Sequence, residues 1–419
     1  MNSVVDTSRV DKLRWVMVMA MILVGMTSAY LNAISAYIGP FMEKGWDPTI
    51  VVVAFSVMTF MSLPGSIVGG AVKARFGNKL VLKLGGLGFA LTCVATTFVT
   101  GPWGYVVLMG GVAPFFVYCV YVVQMANVGE LFPDKRGMAT GIFVAGIAVA
   151  SALVLPLTEW MTRNMDAMMT IAVSGIVYGG FTLLIGFIMI DAPANYKPKG
   201  WEPKEYEILD ESVAAEGTGV VDLKWNKVLM KPSFWMIFIG SVGLGIMSSG
   251  LYSNFIGMAS NLLSISDAKA AWLYSLFTLV TGASGIVIGL VSDKLTGPTK
   301  ALALAFVLTT AAIALFCGAG GNSLPLYIVF LVVAGIAMGS IQTLTPPIIM
   351  NAWGNKYFGI TYGIMLTSMT VASFIGAQFS VRYSPVMFLW ISAACLLAGG
   401  ILIFLATFVL NKELGKKIF

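Results

Sequence analysis

Scattered through the long apolar runs of this 419-residue chain are side chains that hydrogen-bond but carry no charge. Tyr118, Tyr121 and Gln124 stand three apart, so on a helix they occupy adjoining faces. Asn32 and Asn254 fall near corresponding points of the first and seventh apolar runs. Gln342 and Thr345 precede Pro346-Pro347 in the tenth run, and Gln378 lies in the eleventh. The chemistry open to such a set is recognition of a small solute through hydroxyl and amide groups. Helix-to-helix hydrogen bonds would use the same groups, and in either role an amide or hydroxyl turns away from hydrocarbon.

Catalysis is not expected. The chain has no histidine, and no Asp, Glu, Lys or Arg lies near the middle of an apolar run, so an embedded base or activated nucleophile is not available. An ionisable residue inside the membrane is the usual mark of a proton relay or ion pathway. Its absence predicts facilitated diffusion or solute exchange rather than strict proton coupling. Cys93, Cys119, Cys317 and Cys395 are far apart, inside apolar runs, and read as small packing residues rather than a metal site or disulfide framework. No metal or cofactor is expected.

The elements that must position these groups are membrane helices. The chain is 58% hydrophobic and only 11% charged, too few charges to cover a water-exposed surface. Runs of the length that crosses about 30 Å of hydrocarbon recur from end to end. They predict spans at 15–38, 49–72, 80–100, 104–128, 138–160 and 167–190, then 233–256, 268–291, 300–319, 324–349, 360–381 and 385–410. Breaks fall at clusters such as Gly39-Pro40 and Gly101-Pro102. The first run is too long for a signal-peptide core, so the first helix is expected to be retained.

Twelve spans put both termini on one side, and 21 of the 25 Lys and Arg residues fall in the segments on that side. Only Lys44, Arg163, Lys269 and Arg382 fall opposite. The positive-inside rule then places both termini and the central loop in the cytoplasm of an inner (plasma) membrane. The net charge of +6 is a topological signal, and no nucleic-acid partner is expected. Glu159, Arg163 and Arg382 sit near the external ends of the fifth and eleventh spans, where they would meet the interface or form an outer gate.

The polar stretch 191–231 reads as a linker between bundles at 1–190 and 232–419. Sequence on its two sides repeats at an offset of about 220. Met26-Thr-Ser-Ala29 aligns with Met247-Ser-Ser-Gly250. Gly65-x-x-x-Gly69 with Lys73 and Gly77 aligns with Gly285-x-x-x-Gly289, Asp293 and Gly297. Gly137-x-x-x-Gly141-Ile aligns with Gly359-x-x-x-Gly363-Ile. Parallel repeats flanking a midplane site are a transporter architecture. The Gly-x-x-x-Gly spacings allow close backbone approach, whether for static packing or for helices that slide.

Gly70-Ala-Val-Lys-Ala-Arg-Phe-Gly77-Asn-Lys79 resembles the loop signature between helices 2 and 3 of the major facilitator superfamily. The usual acid is replaced by Lys73 or Ala74, and the second copy, Ser292-Asp293-Lys294, keeps it. The resemblance implies a cytoplasmic gate involving Lys73, Arg75, Asp293 and Lys294. A narrower match is Leu131-Phe-Pro-Asp-Lys-Arg-Gly-Met-Ala-Thr-Gly141, which resembles the helix 4–5 signature of the oxalate/formate antiporter and monocarboxylate transporter families. Trp353-Gly-Asn-Lys-Tyr-Phe-Gly359-x-x-Tyr362-Gly363 is similar to their helix 10–11 turn, and Tyr196-x-Pro-x-Gly-Trp201-x-Pro203 to the start of their central loop.

The resemblance implies an all-α membrane fold of two pseudo-symmetric six-helix halves, working as a secondary transporter of a small organic solute; a monomer in the lipid bilayer is expected. It also implies pocket residues, of which Tyr121 is kept in the fourth span. The basic residues implied in the eighth and eleventh spans are replaced by Gly285 and Met369, and aromatic positions by Met338, Gln342 and Asn32. That pattern argues against dianionic oxalate. Two substrate classes follow: a monocarboxylate-type anion held by neutral donors, as the resemblance implies, or a neutral, zwitterionic or amphipathic solute, which suits the residue types on charge alone.

Overall fold

The computed structural model describes residues 7–32, 36–47, 49–193, 196–200, 222–293 and 297–415. Twelve long helices carry the fold. They are α1 (Thr7–Val24, continued after Gly25 by Met26–Asn32), α2 (Thr49–Phe76), α3 (Asn78–Ala95), α4 (Pro102–Leu131), α5 (Arg136–Asn164) and α6 (Ala167–Ile188). After the linker come α7 (Pro232–Leu263), α8 (Asp267–Val291), α9 (Pro298–Gly318), α10 (Leu324–Trp353), α11 (Phe358–Arg382) and α12 (Pro385–Leu414). Each contains a span long and apolar enough to cross a membrane, at the places the hydropathy predicts. Two short helices, Ile38–Glu43 and Trp225–Val228, precede α2 and α7.

The chain turns where its sequence demands it. Gly77 between α2 and α3 and Gly297 between α8 and α9 take φ of 83° and 75°, a conformation that a Cβ penalises. They are one of the glycine pairs that the internal repeat aligns. Proline opens α4, α7, α9 and α12, where its missing N–H costs nothing.

Proline inside a span has a different effect. In α4 the backbone runs as a π-helix over Val106–Val112, just before Pro114, whose missing N–H takes one donor from the helical ladder. In α10 the pair Pro346-Pro347 is buried within a helix that continues to Trp353.

The chain forms two compact units. One comprises Met1–Asp134, Gly146–Glu202 and Asn355–Ile364; the other comprises Lys135–Ala145, Pro203–Gly354 and Met365–Phe419. In the first unit α3 packs on α6 and on α4, and α2 packs on α4. In the second, α9 packs on α12 and on α10, and α8 packs on α10. Adding six to each helix number of the first set gives the second, so the repeat in sequence is also a repeat in packing.

Each unit has an aromatic core. In the first, Tyr30, Tyr37, Phe41, Phe89, Tyr105 and Tyr178 are buried together, with the Tyr30 and Tyr37 hydroxyls 2.5 Å apart. In the second, Phe255, Phe277, Phe316, Tyr327 and Phe330 form a run of ring contacts. Tyr105 at the start of α4 and Tyr327 at the start of α10 are both fully buried, with hydroxyls that have no partner among the described residues.

Candidate functional site

Among the described residues, polar chemistry gathers in the middle of α4 with the start of α11, and at the helix-linking loops of each unit.

On α4, Gln124 is completely buried, and its amide donates to the Met21 carbonyl of α1 at 2.8 Å, tying α1 to α4. Its Oε1 is buried without a partner among the described residues. Tyr121 is partly buried, and its hydroxyl is hydrogen-bonded to that of Tyr362 in the second turn of α11. Tyr118 is partly buried one turn earlier, against Gly65 of α2. The backbone of Asn32 ends the short continuation of α1 and that of Asn254 lies in α7; both side chains fall outside the described residues. Gln342 on α10 and Gln378 on α11 are exposed. An amide left unpaired in hydrocarbon is costly, so physical chemistry assigns both to a hydrated surface. Within the described residues, then, Tyr121 and Tyr362 come together, Tyr118 lies one turn away on α4 against Gly65, and Gln124 bonds α1.

Tyr362 reaches α4 because α11 approaches without side chains in the way. A Cβ on Gly359 would lie 2.3 Å from Gly70 Cα of α2 and 3.0 Å from Val122 Cγ1 of α4. One on Gly363 would lie 2.5 Å from Ser66 Cβ of α2. Tyr362 sits between these two glycines, 1% exposed, with its ring stacked 5.1 Å from Phe358. The sequence marks Tyr362 only as part of the helix 10–11 motif; its partner on α4 is 241 positions away and has no local signal.

Positions 285 and 369 are filled by packing. A Cβ on Gly285 would lie 2.9 Å from Thr343 Oγ1 of α10 and 3.2 Å from the Gly141 carbonyl of α5. A Cβ on Gly141 would lie 2.1 Å from the Gly285 carbonyl. A long cationic side chain has no room there. Met369 places its sulfur 3.2 Å from where a Cβ of Gly245 in α7 would be. Among the described residues no group of three or more His, Cys, Asp or Glu is arranged to hold a metal ion.

At the charged end of the first unit, Lys73 pairs with Glu130 of α4 at 2.7 Å, and Arg14 pairs with Asp134 at 2.8 Å while lying over the Phe132 ring. Asn78 donates to Asp191 at 2.8 Å. The Tyr196 hydroxyl binds Asp11, so the start of the linker is fastened to α1. Burial and that carboxylate push the Tyr196 phenol well above its ordinary value. Arg75 is exposed, with its guanidinium over Phe76.

In the second unit, Asp293 accepts from the backbone N–H groups of Gly137 at 3.0 Å and Met138 at 2.8 Å. Its carboxylate thus sits on the positive end of α5. Next to it Arg136 donates to Asn351 of α10. Lys294 lies outside the described residues. Glu159 and Arg382 are exposed near the far ends of α5 and α11. Nothing in the sequence pairs Lys73 with Glu130 or Arg14 with Asp134, because a pair across more than fifty residues leaves no spacing signature.

The sequence model of the Major Facilitator Superfamily matches residues 15–377 and also 244–418. The oxalate:formate antiporter of Oxalobacter formigenes is 24% identical over 97% of this chain and 93% of its own length. Monocarboxylate transporter 13 of Rattus norvegicus is 21% identical over 75% of this chain and 69% of its own. Among solved structures, the E. coli fucose:proton symporter superposes with a TM-score of 0.69 over 94% of this chain and 99% of its own, at 11% identity, which speaks to fold alone. With twelve membrane helices, a repeated packing pattern and a family match along nearly its whole length, the chain belongs to the Major Facilitator Superfamily of membrane transporters.

Proposed function

We propose that the protein carries a small monocarboxylate-type organic anion across the inner (plasma) membrane by alternating access, as a uniporter or exchanger. The observation that carries this reading is the similarity to the oxalate:formate antiporter along almost the entire chain, combined with a tyrosine hydroxyl on α4 that can donate to a carboxylate. A single negative charge can be held by hydroxyl and amide donors, whereas a dianion without a cation would lose too much hydration. Tyr121 and Tyr118 are the donors on α4, with Asn32, Asn254, Gln342 and Gln378 completing the set. Gln124 acts by holding α1 to α4.

In this mechanism 1–190 and 232–419 rock about the site, with 191–231 as the connecting loop and both termini cytoplasmic. Asp293 on α5, with Lys73, Arg75 and Lys294 in the neighbouring loops, forms the cytoplasmic gate. Glu159 and Arg382 face the other side. Without an embedded carboxylate, transport proceeds with no obligatory proton.

A second reading is supported by the packing at positions 285 and 369. There a glycine crossing and a methionine contact stand in place of cations, which favours a neutral, zwitterionic or amphipathic solute. Thermal stabilisation of the purified protein by formate, acetate, oxalate, glycine and glycerol separates the two, because a ligand of the native state raises apparent stability by mass action. Stabilisation by formate or acetate and not by oxalate is the expected result. Stabilisation by glycine or glycerol alone would replace the anion reading with the second.

A further inference from the structure

We infer that Tyr362 is a positioning residue for the solute site: it donates to Tyr121, so that the Tyr121 proton is left to point at the solute. The inference rests on the proposal that Tyr121 contacts the solute. Its geometric basis is independent of that proposal.

The two hydroxyls are bonded to each other, and the two side chains differ in solvent exposure. Tyr362 is 1% exposed, clamped by the Phe358 ring and by the two glycines that seat α11 on α2. Tyr121 is the more open of the pair. In a pair of hydroxyls one oxygen accepts and keeps its own proton for a third group. If Tyr121 gave its proton to Tyr362, the Tyr362 proton would need an acceptor within a fully buried environment, at the cost of an unmade bond. If Tyr362 donates, the remaining proton is on the partly exposed residue. A hydroxyl that accepts one hydrogen bond is also polarised to donate a stronger one.

The glycines make this arrangement conditional. Tyr362 stays within reach of Tyr121 only while the first two turns of α11 lie against Ser66 and Gly70 of α2 and Val122 of α4. Moving α11 off that seat removes the donor from Tyr121. Solute affinity is therefore coupled to the seating of α11.

The test has two arms. In the first, 3-fluorotyrosine is placed at position 121 and its fluorine resonance recorded without solute. Tyr362→Phe keeps the ring and removes the bond, so the resonance should shift, and an unchanged resonance would overturn the inference.

In the second arm, formate, acetate, glycine and glycerol are titrated by thermal stabilisation into wild type, Tyr121→Phe, Tyr362→Phe and the double variant. Tyr362→Phe should weaken binding about 3- to 10-fold, the size of one polarised hydrogen bond. The double variant should bind no more weakly than Tyr121→Phe alone. Lower stability of unliganded Tyr362→Phe with unchanged affinity, or additive losses in the double variant, would make Tyr362 a packing residue only. If Tyr121→Phe binds like wild type while the fluorine shift is present, the solute-site reading of Tyr121 fails and takes the positioning role with it, although the hydroxyl pair stands.

Discussion

The starts of α5 and α11 occupy equivalent places in the repeat, yet they are secured by different chemistry. Both use Gly-x-x-x-Gly to bring backbones into direct contact: Gly137 and Gly141 lie on Gly289 and Gly285 of α8, and Gly359 and Gly363 lie on Gly70 and Ser66 of α2. At α5 the contact carries a carboxylate, Asp293, bonded to two N-terminal amides. At α11 the loop that would supply the acid has Lys73 and Ala74 instead, and Lys73 is engaged by Glu130 within its own bundle. What the α11 contact has in its place is the Tyr121–Tyr362 hydroxyl pair. Shape is thus common to both contacts, charge belongs to one and neutral hydrogen bonding to the other. Shape is insensitive to salt and pH, whereas a carboxylate on a helix end responds to both.

The largest effect should come from breaking the shared feature. Gly141→Leu puts a Cβ at 2.1 Å from the Gly285 carbonyl, and Gly359→Leu puts one at 2.3 Å from Gly70 Cα. Backbone cannot yield as a side-chain tip does, so each should cost at least the roughly 1–3 kcal/mol of overpacking. Melting of the purified variants in detergent should show both falling by similar amounts. A large loss in one and none in the other would mean that the two contacts are not equivalent in shape.

Charge is the next feature to alter. Asp293→Asn keeps the size of the side chain and removes the anion from the α5 N-terminus, with an expected loss of about 1–2 kcal/mol. The loss should shrink in high salt less than it would at an exposed site, because the group is partly buried. The reciprocal change, Ala74→Asp, supplies the first copy with the acid that it lacks. If the tyrosine pair already secures α11, this variant should change melting by less than Asp293→Asn does. A gain as large as the Asp293→Asn loss would mean that the α11 start is unsecured in the natural chain.

How much of this was legible beforehand follows from the range of each interaction. Twelve spans and their breaks are written locally, in hydropathy and in Gly and Pro, and they are found where predicted. The repeat was legible too, because glycines such as Gly77 and Gly297 must meet the same φ requirement in both copies. Facing was not. Gly65 and Gly69 turn toward Phe115, Tyr118 and Cys119 of α4, while their neighbours Ser66 and Gly70 meet α11. A one-residue step along a helix rotates the face by about 100°, and nothing in a glycine pair announces which neighbour it meets. Gln124 shows the same limit, since its acceptor is a backbone carbonyl 103 positions away. The π-helical stretch in α4 follows from Pro114 in hindsight, yet proline permits a kink, a bulge or continuity, as Pro346-Pro347 in α10 demonstrates.

The smallest effect calibrates the charge on a helix end where water competes. Asp166 precedes α6, accepts from the Met168 amide at 2.9 Å and pairs with Lys44 at 2.6 Å, with both side chains substantially exposed. The hydrogen bond from the Lys44 ammonium, helped by the Met168 amide and opposed by partial desolvation, holds its carboxyl below the ordinary value. A folded-state pKa that is depressed contributes stability above the unfolded value of about 3.9, and that contribution disappears as pH falls through the folded value. Asp166→Asn retains a side chain that can cap. It should therefore melt slightly below wild type at pH 7, and the two should merge as pH falls through the depressed folded-state value. Asp293→Asn should show a wider gap at pH 7, because its carboxylate is less screened. Equal gaps at the two sites would mean that burial adds nothing to the α5 carboxylate, and the difference between the α5 and α11 contacts would then reduce to their shapes.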